Sequence, residues 1–323
     1  MGKTFYRAIA ATCGITTTVF FLAACGDKTS DDAPQESAAI ATAPDAAFLF
    51  DDFDYDTVET FAANGWRIRT ETGHPGVQGA TWSAKGLSFH AAGQDARNGI
   101  IRMASHTDGT AENTQHTQFC HERKYFRGTY AARVRFRDLP SAGPDGDEVI
   151  QTFYAISPLE APMALNYSEM DFEYLPNGGW DESHNALWAT TWETFQLEPW
   201  TKVNEFTTLV GSFDGWHTLV LHADEKEVRY FVDGELFASH SDAVAPEEPM
   251  SINFNMWFTQ EGLIQSSEHR QYQEDVDWVY HEVDNILSTE EVEQRVSDLR
   301  DQNLQFQDSV PPWSPELPSP CGL

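Results

Sequence analysis

The sequence predicts an all-β sandwich, and three observations carry that expectation. From residue 48 to about 286, short alternating or wholly apolar runs are broken at close intervals by Gly, Pro, Asn and Asp, the punctuation of two packed sheets. Two of these runs, 228–232 and 235–240, are joined by Asp233-Gly234, a two-residue connection that fits a β-hairpin. No helical period of useful length occurs before residue 288. The 323 residues are enough for one large domain of this class.

Residues 1–24 read as an export signal. Lys3 and Arg7 give a positive start, and residues 8–22 form an apolar run that is short for a membrane span. The run ends in Leu22-Ala23-Ala24-Cys25, which resembles the lipobox of bacterial lipoproteins, where the Cys becomes the first mature residue and carries lipid. The expectation is a lipoprotein held at the cell envelope through Cys25. An ordinary secretory signal and an uncleaved anchor are the alternatives. Residues 25–47 are Asp, Ala, Pro, Ser and Thr with almost no large apolar side chain, the composition of a disordered tether.

The chain has 51 acidic and 20 basic residues, a net charge of −31, and loses two of the bases with the signal. Such a field repels phosphate backbones, so nucleic acid is excluded as a partner and a neutral or cationic substrate is favoured. Of four Cys, Cys13 lies in the signal and Cys25 is the lipid site. Cys120 and Cys321 remain, an even pair in an oxidising compartment, and are expected to form a disulfide that pins the tail to the domain; two free thiols are the alternative.

Within the domain, 66–69, 86–90 and 100–103 are early strands, and 129–137 alternates Arg133, Arg135 and Arg137 against Ala132, Val134 and Phe136. An apolar run at 149–156 precedes the segment on which the functional reading turns, 167–175. As a strand it places Ser168, Met170, Phe172 and Tyr174 on one face and Glu169, Asp171 and Glu173 on the other. Three carboxyls roughly 7 Å apart raise one another's pKa. A glycosidase uses that tension, because it needs one ionised carboxylate and one carboxylic acid. An acidic i, i+2, i+4 triplet arises by chance about once in a chain this acidic, and Asp52, Asp54 and Asp56 form another. Two further strands supply context. In 250–258, Met250, Ile252, Phe254, Met256 and Phe258 oppose Ser251, Asn253, Asn255 and Trp257; in 186–192, Trp188, Thr190 and Trp192 share a face. Indole rings stack on sugar C–H faces and amides bond hydroxyls, so Trp257, Asn253, Asn255, Trp188 and Trp192 are candidate substrate contacts, with burial in the core as the alternative for the Trp.

Glu169-Met-Asp-Phe-Glu173 resembles the E-x-D-x-E signature of glycoside hydrolase family 16, the laminarinase, lichenase and xyloglucan transglycosylase group. Other segments match in order: Phe48-Leu-Phe-Asp-Asp-Phe53, Phe126-Arg-Gly-Thr-Tyr-Ala-Ala-Arg133 (with Ala131 where Glu is usual), Gly215-Trp-His-Thr-Leu-Val220 with Tyr230-Phe-Val-Asp-Gly234, Pro249-Met-Ser-Ile-Asn-Phe-Asn-Met-Trp257 and Val276-Asp-Trp-Val-Tyr280. The likeness covers residues 48–286, the catalytic domain. It implies a β-jelly roll of two antiparallel sheets with a concave substrate cleft. Glu169 would be the nucleophile, Glu173 the general acid/base, and Asp171 the residue setting their protonation. The family retains configuration, so the two functional carboxyls would close to about 5–5.5 Å. The Cα atoms lie about 13 Å apart along an extended strand, a gap two Glu arms close better than two Asp. The unbulged spacing resembles lichenases and the plant transglycosylases, which points to a β-1,3-1,4- or β-1,4-linked glucan. The segments 121–124 and 176–182 match no subgroup, and Trp188 stands about where lichenases carry Asn. Catalysis in the family needs no cofactor, but many members hold a structural calcium partly through the Asp of the closing strand, here Asp277; a plain surface acid is the alternative. His217 matches a family position and reads as a structural histidine.

Residues 287–323 form an extension. Ser288 and Glu291 make a capping box, Val292, Val296 and Leu299 form one stripe of a short helix, and a Pro-rich tail follows to Cys321. The leading reading is an exported, lipid-anchored retaining endo-glycosidase acting on polysaccharide. A transglycosylase, a lectin-like binder and a structural sandwich of the envelope are the competing readings.

Overall fold

The computed structural model describes residues 46–91, 99–318 and 321; the export signal, Cys25 and nearly all of the tether lie outside the described residues. The chain opens with β1 (Phe48–Asp51), a six-residue helix α1 (Val58–Ala63), β2 (Arg67–Ile68), β3 (Thr81–Trp82) and β4 (Leu87–Ala91). Then come β5 (Gly99–Thr107), β6 (Gln115–Cys120), β7 (Gly128–Phe136), β8 (Val149–Ile156), β9 (Glu169–Leu175) and β10 (Ala186–Gln196). The rest is β11 (Thr201–Val210), β12 (Gly215–Ala223), β13 (Glu227–Val232), β14 (Glu235–Ser241), β15 (Ser251–Phe258), β16 (Arg270–Val283), helix α2 (Thr289–Asp301) and β17 (Phe306–Asp308).

Two antiparallel sheets result. One runs β11–β10–β9–β8–β15–β6–β2 and carries the cleft. The other runs β14–β13–β12–β7–β16, with β5–β4 and β1–β17 sharing the far edge of the long β16. The sheets are stitched at one edge where β5 and β6 pair through His106 and Gln115. This is the expected jelly-roll sandwich.

The core lies between the sheets and is made by alternation. Met170, Phe172 and Tyr174 of β9 and Ile252, Phe254 and Met256 of β15 face Ala132, Val134, Leu219, Leu221 and Val276 of the outer sheet. Each large apolar side chain so buried contributes about 1.5–3 kcal/mol, which offsets the repulsion on the opposite face of β9. A second apolar cluster lies on the far side of the outer sheet. There Val292 and Val296 of α2, with Leu299, cover Phe50, Val220, Trp278 and Tyr280. The helix starts with the expected capping box: Glu291 N donates to Ser288 Oγ at 3.2 Å and Ser288 N to Glu291 Oε2 at 2.8 Å. The chain then adds β17 beside β1, and Cys321 is bonded to Cys120 with a Cα–Cα distance of 5.5 Å. Helix α1 falls where no helix was expected; at six residues it is too short to show a period, and it is fixed by Thr57 at its cap and by Phe61 stacked on Trp66.

Candidate active site

Strand β9 carries the site because of its alternation. With Met170, Phe172 and Tyr174 fully buried, Glu169, Asp171 and Glu173 turn to the opposite face, where all three line a cleft of about 530 Å³. The strand pairs with β8 and β10 without a register shift, so no bulge separates the two glutamates. Trp192, Thr190 and Trp188 of β10 stand beside Glu169, Asp171 and Glu173 in turn; Ile156, Tyr154 and Thr152 of β8 flank them on the other side.

Hydrogen bonding makes the three carboxyls unequal. Tyr167 Oη donates to Glu169 Oε2 at 2.5 Å. Trp192 Nε1 donates to Asp171 Oδ2 at 2.9 Å, and Asp171 is itself bonded to Glu169. Burial pushes Glu169 up to about 7, and the bonds from Tyr167 and Asp171 act against that rise. Asp171 is held well above the carboxylate range, first by burial and then by the charges of Glu169 and Glu173. Glu173 is also held well above it, by burial and then by Glu169, with the Lys202 ammonium opposing. Glu169 therefore has donors that favour its ionised form, whereas Glu173 has none among the described residues. The groove thus holds carboxyl groups in unequal surroundings, as glycosidic bond cleavage by one carboxylate and one carboxylic acid requires.

The cleft walls are aromatic. Trp188, Trp192 and Trp257 all line it, so none of the three is a core residue. Trp180 was missed by sequence reasoning. It follows Gly178 and Gly179 in the 176–182 loop, and both it and Asp181 adopt left-handed backbone (φ 54° and 71°). That turn brings the Trp180 ring within 5.7 Å of Trp188 and 6.5 Å of Trp257. Strand β11 was missed as well, and it brings Lys202, Asn204 and Phe206 to the cleft, with Trp200 just before it. The Lys202 ammonium lies 5.5 Å from both the Trp192 and Phe206 rings. Asn255 lines the cleft, but its amide is partly engaged: Nδ2 donates to Tyr154 Oη at 2.9 Å and Oδ1 accepts from Thr152 Oγ1 at 3.0 Å.

No family model and no curated protein matches the sequence. Solved structures do match. The chain is similar to a β-glucanase of Bacillus licheniformis, with 15% identity and a TM-score of 0.52 over 73% of this chain and 97% of that one. It is similar to a β-1,3-1,4-glucanase (lichenase) from a mouse hindgut metagenome, with 17% identity and a TM-score of 0.52 over 73% and 98%. It is also similar to a glycoside hydrolase family 16 endo-glucanase from Bacteroides ovatus, with 13% identity and a TM-score of 0.54 over 71% and 98%. The fold is that of glycoside hydrolase family 16.

Within that fold, two expected site residues need correction. Asn253 points to the cleft side of β15 but is fully buried and does not line the cleft. Its Nδ2 donates to Ser251 O (3.1 Å) and Oγ (2.8 Å), and its Oδ1 accepts from Gln118 of β6 at 3.2 Å. Alternation gave its side correctly, but it could not show that β6 pairs alongside and supplies that partner. Asp277 does not fit a calcium ligand. It is fully buried, and its Oδ2 accepts from Arg133 at 2.7 Å and its Oδ1 from Arg300 of α2 at 2.8 Å. Two guanidinium groups already supply the positive charge there and would repel a divalent cation. The carboxylates of Glu122 and Asp308, which lie together with His121, are likewise engaged, by Lys124 Nζ at 3.3 and 2.6 Å. His217 is structural: Nδ1 pairs with Asp233 Oδ2 at 2.7 Å and Nε2 with Phe213 O at 3.1 Å.

Proposed function

We propose that the protein is an exported, lipid-anchored retaining endo-glycosidase that cleaves a β-linked glucan, β-1,3-1,4-glucan or a related polysaccharide, by double displacement. The observation that carries this reading is the placing of Glu169 and Glu173 on one face of one unbulged strand, in an open aromatic cleft, with unequal hydrogen bonding. Glu169 attacks the anomeric carbon while Glu173 passes its proton to the departing glycosidic oxygen. A glycosyl ester on Glu169 results, and Glu173 is left as a carboxylate. That carboxylate then takes a proton from water, whose oxygen attacks the same carbon and frees Glu169. Asp171, kept protonated first by burial and then by its two acidic neighbours, donates to Glu169 and steadies its charge. Trp180, Trp188 and Trp257 at the Glu173 end, and Trp192 and Trp200 at the Glu169 end, offer stacking platforms on both sides of the acids. That layout suits a chain bound across its middle. The glucan assignment is supported by the unbulged motif and by fold neighbours named as glucanases.

The test is a panel of soluble glucans and galactans assayed for new reducing ends, with Glu173→Gln and Glu169→Ala as controls. Cleavage by the parent protein and its loss in both variants is the expected result. Cleavage that survives both substitutions would move catalysis elsewhere. Binding without cleavage of any polymer would favour the lectin reading.

A further inference from the structure

The Tyr167 phenol is a buried group next to the chemistry that the double-displacement scheme leaves unused. It lies two residues before Glu169, is 2% exposed, and packs with its ring 5.4 Å from Phe195 in a small apolar cluster that also holds Ile156 and Tyr154. A phenol has one proton to give, and that of Tyr167 goes to Glu169 Oε2 at 2.5 Å, the length of a charge-assisted bond. Burial keeps the phenol protonated far above the range in which enzymes work, so this donor does not switch off. We propose that Tyr167 is a positioning residue for the nucleophile: its hydroxyl fixes the Glu169 carboxylate through Oε2, holds it ionised, and takes up its returning charge when the glycosyl ester is hydrolysed. This rests on Glu169 being the nucleophile.

A fixed Oε2 presents the opposite edge of the carboxylate to the cleft. A hydrogen bond to a charged acceptor is worth enough to change the ionised fraction by about tenfold or more. The other groups facing Glu169 are Asp171 and Glu173 on its own strand, Tyr154 on β8 and Tyr230 on β13, with Lys202 on β11 acting on Glu173. Tyr167→Phe removes one hydroxyl and leaves all of these in place. The sign follows directly: the bond favours the carboxylate, so its loss raises the pH at which Glu169 ionises.

The experiment has two readouts. In the full chain with ¹³C-labelled glutamate, the Glu169 carboxyl is titrated by NMR, its resonance assigned by its absence in Glu169→Gln. In parallel, kcat and KM are measured against pH on whichever polymer the parent protein cleaves. For Tyr167→Phe the expected results are a Glu169 titration about one pH unit higher and an acid limb of kcat moved up with it. Activity should fall about tenfold near pH 6 and less at higher pH, with KM within about twofold. Leu159→Ala, which loosens the same apolar cluster without touching the hydroxyl, should lower thermal stability and leave the acid limb where it was. An unchanged Glu169 titration in Tyr167→Phe, or the same shift in Leu159→Ala, overturns the inference. If no polymer is cleaved but Glu169 still shifts, the tuning stands and the glycosidase reading falls. If Tyr167→Phe does not fold, incorporation of a fluorotyrosine at 167, which strengthens the donor, should move the titration down; no movement overturns the inference.

Discussion

Arg300 is the residue whose removal should most damage the fold. It sits in the last turn of α2 and reaches down onto the outer sheet to two fully buried carboxylates: Nε donates to Asp52 Oδ1 at 2.6 Å and Nη2 to Asp277 Oδ1 at 2.8 Å. Arg300 is itself 7% exposed, while both acids are 0% exposed. Asp277 keeps Arg133 as a partner in Arg300→Met, but Asp52 loses the ion pair it makes there. At an effective dielectric of about 20, two charges at 4 Å attract by about 4 kcal/mol, and breaking a buried pair by removing one partner usually destabilises by about 3–5 kcal/mol. For a domain of this size that is a fall in Tm of roughly 10 °C. The measurement is thermal unfolding with EDTA or with millimolar calcium. Arg300→Met is expected to melt about 10 °C lower, and Asp52→Asn added to it should restore part of the loss by removing the buried acid that gave up its Arg300 ion pair. Parent stability should be the same in EDTA and in calcium. A loss below about 1 kcal/mol in Arg300→Met, or a parent protein that melts lower in EDTA, would refute the idea that an arginine fills the cationic role at Asp277.

Glu173→Gln should lower kcat by about 10²- to 10⁴-fold, the usual worth of a general acid, with KM little changed. On a substrate whose leaving group needs no proton, the loss should be largest in the second half-reaction, which burst kinetics would show. Glu274 projects into the core beside Tyr272 and Val276, and neither carboxyl oxygen has a side-chain partner among the described residues. Burial raises its folded pKa well above the ordinary glutamate value, so between that value and the folded one the native state binds more protons than the unfolded state, and stability falls as pH rises. Glu274→Gln should therefore stabilise the domain at pH 8 by about 1–3 kcal/mol and do little at pH 4, as denaturant melts at the two pH values would report. Trp180→Ala should raise KM about tenfold and leave kcat within a few-fold, since it removes a stacking platform without touching the acids. A matching fall in kcat would place the ring at the reacting sugar.

The face of the acidic strand was legible because alternation needs only neighbours in sequence. Met170, Phe172 and Tyr174 fix which way β9 faces, and the three acids follow. The helix of the extension was legible for a similar local reason, its cap Ser288 directly preceding the 13-residue helix that carries the stripe. Strand β11 was not legible. Val203, Phe206, Leu209 and Val210 are about half exposed along this edge strand, so buried and solvent faces blur and no clean period of two survives. Its cleft residues, Lys202 and Phe206, went unseen with it. Trp180 was hidden for a different reason: consecutive left-handed residues aim it, and backbone of that kind outside glycine leaves no pattern in a sequence. Asn253 and Asp277 failed because their partners, Gln118 at 135 residues' separation and Arg300 in the extension, are brought to them only by the folded topology.

The extension explains a further feature of the design. A row of three partly or wholly buried acids makes β9 a poor contributor to stability when ionised, and Glu274 and Asp51 add to the same liability. Structures carry such groups at working sites only when packing elsewhere overdetermines the fold. Here part of that packing comes from outside the 48–286 domain: α2 covers a second apolar cluster, Arg300 pairs with the buried acids Asp52, just after β1, and Asp277 of β16, β17 extends the outer sheet, and the disulfide ties the tail to β6, a neighbour of the cleft strand β15. Truncation before residue 287 should thus do more than shorten the chain. It would leave Asp52 and Asp277 without Arg300 and uncover Trp278 and Tyr280. The fold would lose contacts that offset the cost of its buried acids.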